Sequence, residues 1–561
     1  MRPAKRWAYR ELLPDFSVPG LSALDCRLLA HRGVQDAAQA QAFLGRGYAA
    51  STDPFDLLDM DRAVERLRKA HQLGERVVVY GDYDADGVTA TVLLFEWLQQ
   101  AGFKTSWYIP DRFQEGYGLH AEALAGLRDE GASVVVTVDC GVRSIREVEQ
   151  GGALGLDIIV TDHHLPGEAL PAAAAVLNPK RPGDPYTFKG LSGVGLAYKL
   201  VEGLAGALRG PSPRELLDLV AVGTVADLAP LLGENRALVS AGLERLNNTG
   251  RPGLLALIES SGFSQGALSA SSIAFGLAPR LNAAGRLASA RLAAELLLSE
   301  DAQTARAHAG KLDALNRERQ RITEQTVELV KAIADLESGR MLVFAAHEEF
   351  HEGVVGLAAS RIVEEVYRPV LLMRLEGELA KGSARSIPEF DVTRALESCA
   401  ELLQRFGGHE LAAGFALPVG NLQALGDRLE QLALGSLGGV LLQPGLELDA
   451  WVEFPDLDER LMGFLDRLEP CGQENPYPTF GAHGVEILSR RAVGADARHL
   501  KLTLRQSGRV FDAIAFRQGD LLARLPPVVE AAFRLERNEF RGITSLQLNV
   551  LDIRAPGGPL R

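Results

Sequence analysis

Val77-Val78-Val79-Tyr80-Gly81-Asp82-Tyr83-Asp84-Ala85-Asp86-Gly87 is the stretch from which the rest of the chain can be read. Its β-branched start predicts a buried strand. Its end sets three carboxylates at alternate positions before a glycine. On an extended segment, alternation puts Asp82, Asp84 and Asp86 on one side of the chain. Three unpaired carboxylates there repel one another at neutral pH, and a bound divalent cation relieves that repulsion.

Working outward, the pattern alternates. Helices are expected over 60–75, 89–102, 121–130 and 144–150, and strands over 105–109, 133–138 and 156–160. Repeated βα units with apolar, β-branched strands predict a parallel, doubly wound sheet, so the fold class is α/β. Ligands of such sheets bind at the C-terminal strand ends. The strands ending at Val138 and Val160 run into Asp139 and into Thr161-Asp162-His163-His164. A lone Asp after a strand is ordinarily a helix cap or turn former. Recurrence at three strand ends points to a site.

The chain has 561 residues, more than one core accommodates, so several domains are expected. At 47% hydrophobic and 24% charged it reads as a soluble globular protein. No apolar run of roughly 18 residues exists, so no membrane span is expected. Met1 to Arg6 carries charge without an apolar segment after it, so no signal peptide is expected. Cys26, Cys140, Cys399 and Cys471 lack paired spacing, which favours reduced thiols in the cytoplasm over a zinc ribbon. A net charge of −14 means that any nucleic-acid affinity must come from local Arg/Lys clusters and metals.

The strand-end set, with Asp227 at the end of the small-residue helix around 216–226, is Asp82, Asp84, Asp86, Asp139, His163, His164 and Asp227. Carboxylates with one or two imidazoles suit Mn²⁺, and Mg²⁺ less well. So many ligands suit two ions about 3.5–4 Å apart better than one. Asp139 is the expected bridge, because its strand should lie between the other two. The metal-ligand set expected is Asp82, Asp84, Asp139, His163 and Asp227, with Asp86 and His164 also in the catalytic group. Such a pair activates water for hydrolysis of a phosphate ester or anhydride without a protein general base.

These motifs resemble a known family. Gly81 to Gly87, Val138-Asp139-Cys140-Gly141 and Thr161-Asp162-His163-His164 are similar to the first motifs of the DHH phosphoesterase superfamily. Within it, the segments 189–199, Val222 to Asp227, Pro279 to Arg286 and Phe406-Gly407-Gly408-His409-Glu410 to Phe415 resemble the bacterial RecJ-type single-stranded-DNA-specific exonucleases. The resemblance spans roughly 50–555 and shows no departure at the metal positions. It implies a 5′-to-3′ exonuclease on single-stranded DNA that uses Mn²⁺ or Mg²⁺ and serves recombination and repair. It also implies partnership with a helicase and the single-strand binding protein. With it, the domains expected are a DHH catalytic domain at 50–285, a DHH-associated domain with the Gly-Gly-His motif at 339–432 and an OB-fold at 433–555; the residue pattern itself adds a helical lead-in at 1–49, a helical connector at 286–338 and a disordered tail at 556–561. The barrel is also read directly, from short alternating strands near 485–488, 500–504, 510–516 and 546–551. Glu337-Ser338-Gly339 is expected to end the connector helix.

Other residues complete the expectation. Arg112 and Tyr117, on a glycine-containing loop, can bind a phosphate and stack on a base, or simply form a surface ion pair and a packed ring. The resemblance favours scissile-phosphate roles for Arg280 and Asn282, beside Arg286. Lys381-Gly382-Ser383-Ala384-Arg385-Ser386 offers a phosphate nest, and Ser383 and Arg385 are candidates for the terminal 5′-phosphate. His409, after two glycines, is expected near phosphate or sugar, and His351-Glu352-Gly353 is a weaker anion site. Trp451, Phe480, Phe511 and Phe516 are expected mostly in the barrel core. A monomer is the default. The rivals are a DHH enzyme for short oligonucleotides or cyclic dinucleotides, disfavoured by barrel and connector, and an inactive DNA-binding scaffold, disfavoured by the intact acidic set. RNA as substrate stays open.

Overall fold

The structure, a computed structural model, describes residues 3–10, 13–45, 48, 52–336, 339–540 and 543–558. It divides into two compact units. One comprises residues 44–317 with 468–476, the other residues 1–43, 318–467 and 477–561.

In the first unit, five parallel strands stand in the order Lys104–Tyr108, Arg76–Tyr80, Ala132–Val138, Asp157–Thr161, Ala175–Leu177. The valine runs still alternate in what they face. Val77, Val79, Val134, Val136 and Ile159 join one core with the helices Ala85–Gln100, Gly193–Leu208 and Leu217–Ala226. Val78, Tyr80, Val135, Ile158 and Val160 join a second core with Leu124, Leu127 and Val148 of the helices Ala121–Asp129 and Ile145–Ala153. Both faces are covered, which is why the strands read as continuous apolar runs. The strand bearing Asp139 lies between those that lead to Asp82 and His163.

In the second unit, the strands Arg405–His409, Ala412–Pro418, Leu379–Arg385 and Val370–Glu376 are antiparallel neighbours, and Val343–His347 pairs parallel at the edge. The C-terminal strands close a barrel. Phe480–Val493 pairs with His499–Gln506, then Arg509–Ala515, Ile543–Arg554 and Val528–Phe540, which returns to Phe480–Val493. Closure removes the exposed sheet edge. The helix Ala302–Ile333 begins in the first unit and ends in the second.

Several expectations are amended. The N-terminal segment has helices Ala23–Ala30 and Ala37–Leu44 but also a strand, Arg6–Tyr9, paired parallel with Gly445–Leu448. That strand alternates too briefly to read without its partner. The strand Val528–Phe540 has no clear alternating signature, because charged and polar residues take most of its outward positions. Residues 555–558 form a turn closed by an Ala555–Gly558 bridge rather than a disordered tail, and 559–561 lie outside the described residues. Of the helix stop at 337–339, Glu337 and Ser338 likewise lie outside them. Phe480 and Phe511 are core, Trp451 is half-buried and Phe516 is exposed.

Candidate active site

The strand Arg76–Tyr80 gives way to a turn rather than continuing. Asp84 is the N-cap of the helix Ala85–Gln100, and its Oδ1 accepts from the Asp86 and Gly87 amides at 2.9 and 3.0 Å. Asp86 is therefore helical, and the three carboxylates do not share one side of an extended segment. Both oxygens of Asp86 accept from the first turn of the helix Gly193–Leu208, from Gly193 at 2.6 Å and Val194 at 2.8 Å. A helix N-terminus is a favourable partner for a carboxylate.

The result is three overlapping groups. Ligand atoms of Asp82, Asp84 and Asp139 lie within 4.8 Å of one another, and so do those of Asp86, His163 and Asp227, and of Asp139, His163 and His164. Asp139 belongs to two of the groups. His163 Nε2 is 3.0 Å from Asp139 Oδ1, 3.8 Å from Asp227 and 4.0 Å from Asp86. Asp82 Oδ1, Asp139 Oδ1 and His163 Nε2 are buried without a hydrogen-bond partner. Buried polar atoms are seldom left so. Carboxylate oxygens and an imidazole lone pair converging on common space are the donor set a divalent cation satisfies, and these residues fit one. The metal set read from sequence omitted Asp86, which the structure places with His163 and Asp227.

Electrostatics agree. Burial, then the charge of Asp84, raises Asp86 to about 7. Burial, then Asp86 and Asp84, raises Asp227 to about 9. Burial first and neighbouring carboxylates second raise Asp82 and Asp139 well above the carboxylate range. Burial and the neighbouring His164 lower His163 to about 3, so it is a neutral imidazole with a lone pair to give. Burial also pulls His164 down, but hydrogen bonding and charge from Asp162 prevail and raise it. Asp162 Oδ1 is 2.7 Å from His164 Nδ1, and Tyr117 Oη is 3.1 Å from the same nitrogen.

Other expected residues separate into those brought to this centre and those not. Tyr117 also donates to the Asp139 carbonyl at 3.3 Å, and half of its surface is exposed. Arg112 stands 5.0 Å over the Tyr83 ring, and its charge bears on Asp82. Asn282 Oδ1 accepts from the Ala85 amide at 2.8 Å, on the turn that carries the carboxylates. The charge of Arg286 reaches Tyr83. Arg280 is directed elsewhere. It donates to Asp313 at 2.9 Å and to the carbonyls of Gly276 and Ser260.

Ser383, Arg385 and His409 belong to the other unit. The Arg385 guanidinium donates to Ser383 Oγ at 2.8 Å and to the Ala384 carbonyl. Among the described residues, no carboxylate lies within 4.0 Å of it. A Cβ on Gly356, in the first turn of the helix Val355–Val366, would meet Arg385 at 2.8 Å and Ser383 Oγ at 3.0 Å. His409 is exposed on the strand Arg405–His409.

Sequence reasoning missed the residues that hold the site from behind. Asp162 also accepts from the Val142 amide at 2.9 Å. Asn178, ending the three-residue strand Ala175–Leu177, donates to the His164 carbonyl and accepts from the Lys180 amide. The Lys180 charge bears on His163 and Asp227. The strand-end rule would have found Asn178 had so short a strand been recognised.

Residues 76–224 match the DHH family, N-terminal domain, residues 338–434 the DHHA1 domain, and residues 448–552 the RecJ OB domain. The single-stranded-DNA-specific exonuclease RecJ of Dickeya dadantii is 39% identical over 563 residues, covering 96% of this chain and 96% of the relative. Crystal structures of RecJ from Thermus thermophilus in complex with Mn²⁺ and Mg²⁺ superpose with TM-scores of 0.84 and 0.79, at 33% and 32% identity. They cover 99% of this chain and 80% and 79% of theirs. The carboxylate–imidazole centre on its parallel sheet, the closed barrel and these likenesses agree: the chain belongs to the RecJ family of single-stranded-DNA-specific exonucleases.

Proposed function

We propose that this chain is a metal-dependent exonuclease that degrades single-stranded DNA from the 5′ end to mononucleotides, in recombination and repair. The observation that carries the reading is that Asp82 Oδ1, Asp139 Oδ1 and His163 Nε2 are buried and unpartnered within overlapping groups that also hold Asp84, Asp86 and Asp227. In this reading Asp82, Asp84 and Asp139 would hold one Mn²⁺ or Mg²⁺, and Asp86, His163 and Asp227 would hold the other. Bound there, the ions supply charge neutralisation at the phosphodiester and activation of water.

The protein does the rest by position. The amides of Gly193 and Val194 fix Asp86, and the Ala85–Gln100 helix fixes Asp84. Asp162 orients His164 toward a substrate phosphate, and Tyr117 spans Asp139 and His164. Asn282 ties its own helix to the carboxylate turn. Arg112 and Arg286 add cationic charge around Tyr83. Together these stabilise phosphate charge in a site that excludes water from its floor.

The 5′ polarity rests on Ser383 and Arg385. A half-buried guanidinium with no carboxylate within 4.0 Å among the described residues, against a helix N-terminus, suits a terminal phosphate. His409 is proposed as a phosphate or sugar contact. A helicase and the single-strand binding protein as partners follow from the family. A monomer is supported by one chain supplying the whole carboxylate–imidazole set, and a cytoplasmic location by the DNA substrate. No described helix is long and apolar enough to cross a membrane.

The test is digestion of a long single strand labelled at either end, with Mn²⁺ or EDTA, for the wild type, Asp139→Ala and Arg385→Ala. Label should leave the 5′ end first as mononucleotide, and EDTA and Asp139→Ala should abolish the reaction. Arg385→Ala should reduce the preference for 5′-phosphorylated over 5′-hydroxyl ends by about 10–100-fold. Loss from the 3′ end first would refute the polarity and the Arg385 pocket. Strand binding without degradation would favour the inactive scaffold.

A further inference from the structure

Leu228 directly follows Asp227 and ends the helix Leu217–Ala226 in a left-handed conformation, at φ +59°. Its amide donates to the Val225 carbonyl, and the Ala229 amide to the Thr224 carbonyl, both at 3.3 Å. This paired arrangement is a helix stop whose left-handed position favours glycine, because a Cβ there crowds its own backbone. The apolar contact that accompanies such a stop belongs to the following residue, and Ala229 is indeed buried. Leu228 does not serve it: the residue is 66% exposed, at the end of a helix buried from Leu217 to Val225. A glycine or asparagine would end the helix with less strain and less exposed apolar surface. A strained backbone beside a site is a sign that the residue is kept for what it touches.

Two further apolar groups stand on residues tied to the same centre. Leu165, directly after His164, is 53% exposed, and the half-exposed Tyr117 bonds to His164. In a DNA strand whose phosphate lies at the carboxylates, the apolar part within reach of a neighbouring side chain is the base. We propose that Leu228 is a substrate-contacting residue, whose side chain packs against the nucleobase beside the scissile phosphate and sets the strand's position over Asp227. The inference rests on the single-strand exonuclease reading.

The test pairs a stability measurement with kinetics. Leu228→Asn and Leu228→Gly tolerate the left-handed backbone without the apolar reach, and Leu228→Met restores the reach. Each is compared with the wild type by thermal melting and by steady-state digestion of 5′-phosphorylated oligothymidylate, with and without abasic residues at the two 5′-terminal positions. Asn and Gly are expected to melt at or about 2 °C above the wild type. Their KM for the strand should rise about tenfold, the worth of one base contact. Abasic residues should cost the wild type a similar factor and cost Asn and Gly nothing more, and Met should behave as the wild type. An unchanged KM in Leu228→Asn, or an equal abasic penalty in wild type and variant, would overturn the inference while leaving the exonuclease reading intact. A wild type that does not digest the strand at all would overturn both.

Discussion

The Nε2 of His163 and the Oδ1 of Asp139 face each other at 3.0 Å, buried, and neither makes a hydrogen bond. Asp139 is itself left-handed, at φ +63°. Asparagine tolerates that backbone, so Asp139→Asn removes the charge and little else. The expected outcome is a loss of at least about 10³-fold in exonuclease rate together with a higher melting temperature of the EDTA-treated protein at pH 8, as in other charge-dense sites. Steady-state kinetics and melting curves check both; an unchanged or lower melting temperature would argue against stored repulsion.

Removal of metal should expose a dependence of stability on pH. Asp86 and Asp227 are raised to about 7 and about 9 by burial and by their neighbours. A raised carboxyl holds a proton in the fold that the unfolded chain has released, so its contribution is present at low pH and is lost as pH rises through the folded value. EDTA-treated protein should weaken from pH 6 to pH 9, by up to about 1.4 kcal/mol per pH unit for each such proton. Saturating Mn²⁺ should flatten the trend. Urea midpoints over this range, with and without Mn²⁺, make the comparison; a flat metal-free profile would sink it.

Gly193 has a specific reason to be glycine. A Cβ there would come within 2.6 Å of the Asp139 carboxylate. Gly193→Ala suits the helix by propensity but must displace Asp139 or the helix start that holds Asp86. The rate should fall by about 100-fold, the scale of an ångström of misplacement, with only a small change in melting temperature. Wild-type kinetics in this variant would mean that the site yields more easily than its packing implies.

Arg280 can be assigned by comparing two substitutions. Its guanidinium donates to Asp313, Gly276 and Ser260. If these bonds are its main work, Arg280→Ala and Asp313→Asn should each cost about 1–3 kcal/mol of stability and leave KM for the strand within a few-fold. A large rise in KM with Arg280→Ala alone would support the scissile-phosphate role.

Much of the centre was legible because parallel strands advertise themselves as apolar runs and bind ligands at one end. That rule reached Asp82, Asp84, Asp86, Asp139, His163 and His164, and the small-residue helix reached Asp227. It could not tell that Asp84 would cap a helix, since a cap and a ligand use the same carboxylate. Nor could it show that Asp86 would be held by Gly193 and Val194, more than a hundred residues away. Arg280 shows what packing adds. The resemblance suggests a phosphate contact there, and that a carboxylate, Asp313, also meets the guanidinium is a matter of packing.

By itself, the sequence determined the α/β class, the barrel and the chemistry of the donor set, because hydrophobic period and residue type are local properties. Tertiary structure alone decided which ligand atoms converge, that Asp86 stands with His163 and Asp227, and that Leu228 is exposed and left-handed beside Asp227. The physical reason is that burial and proximity set both the carboxyl shifts and the unpartnered atoms. Neither exists until strands distant in sequence lie side by side.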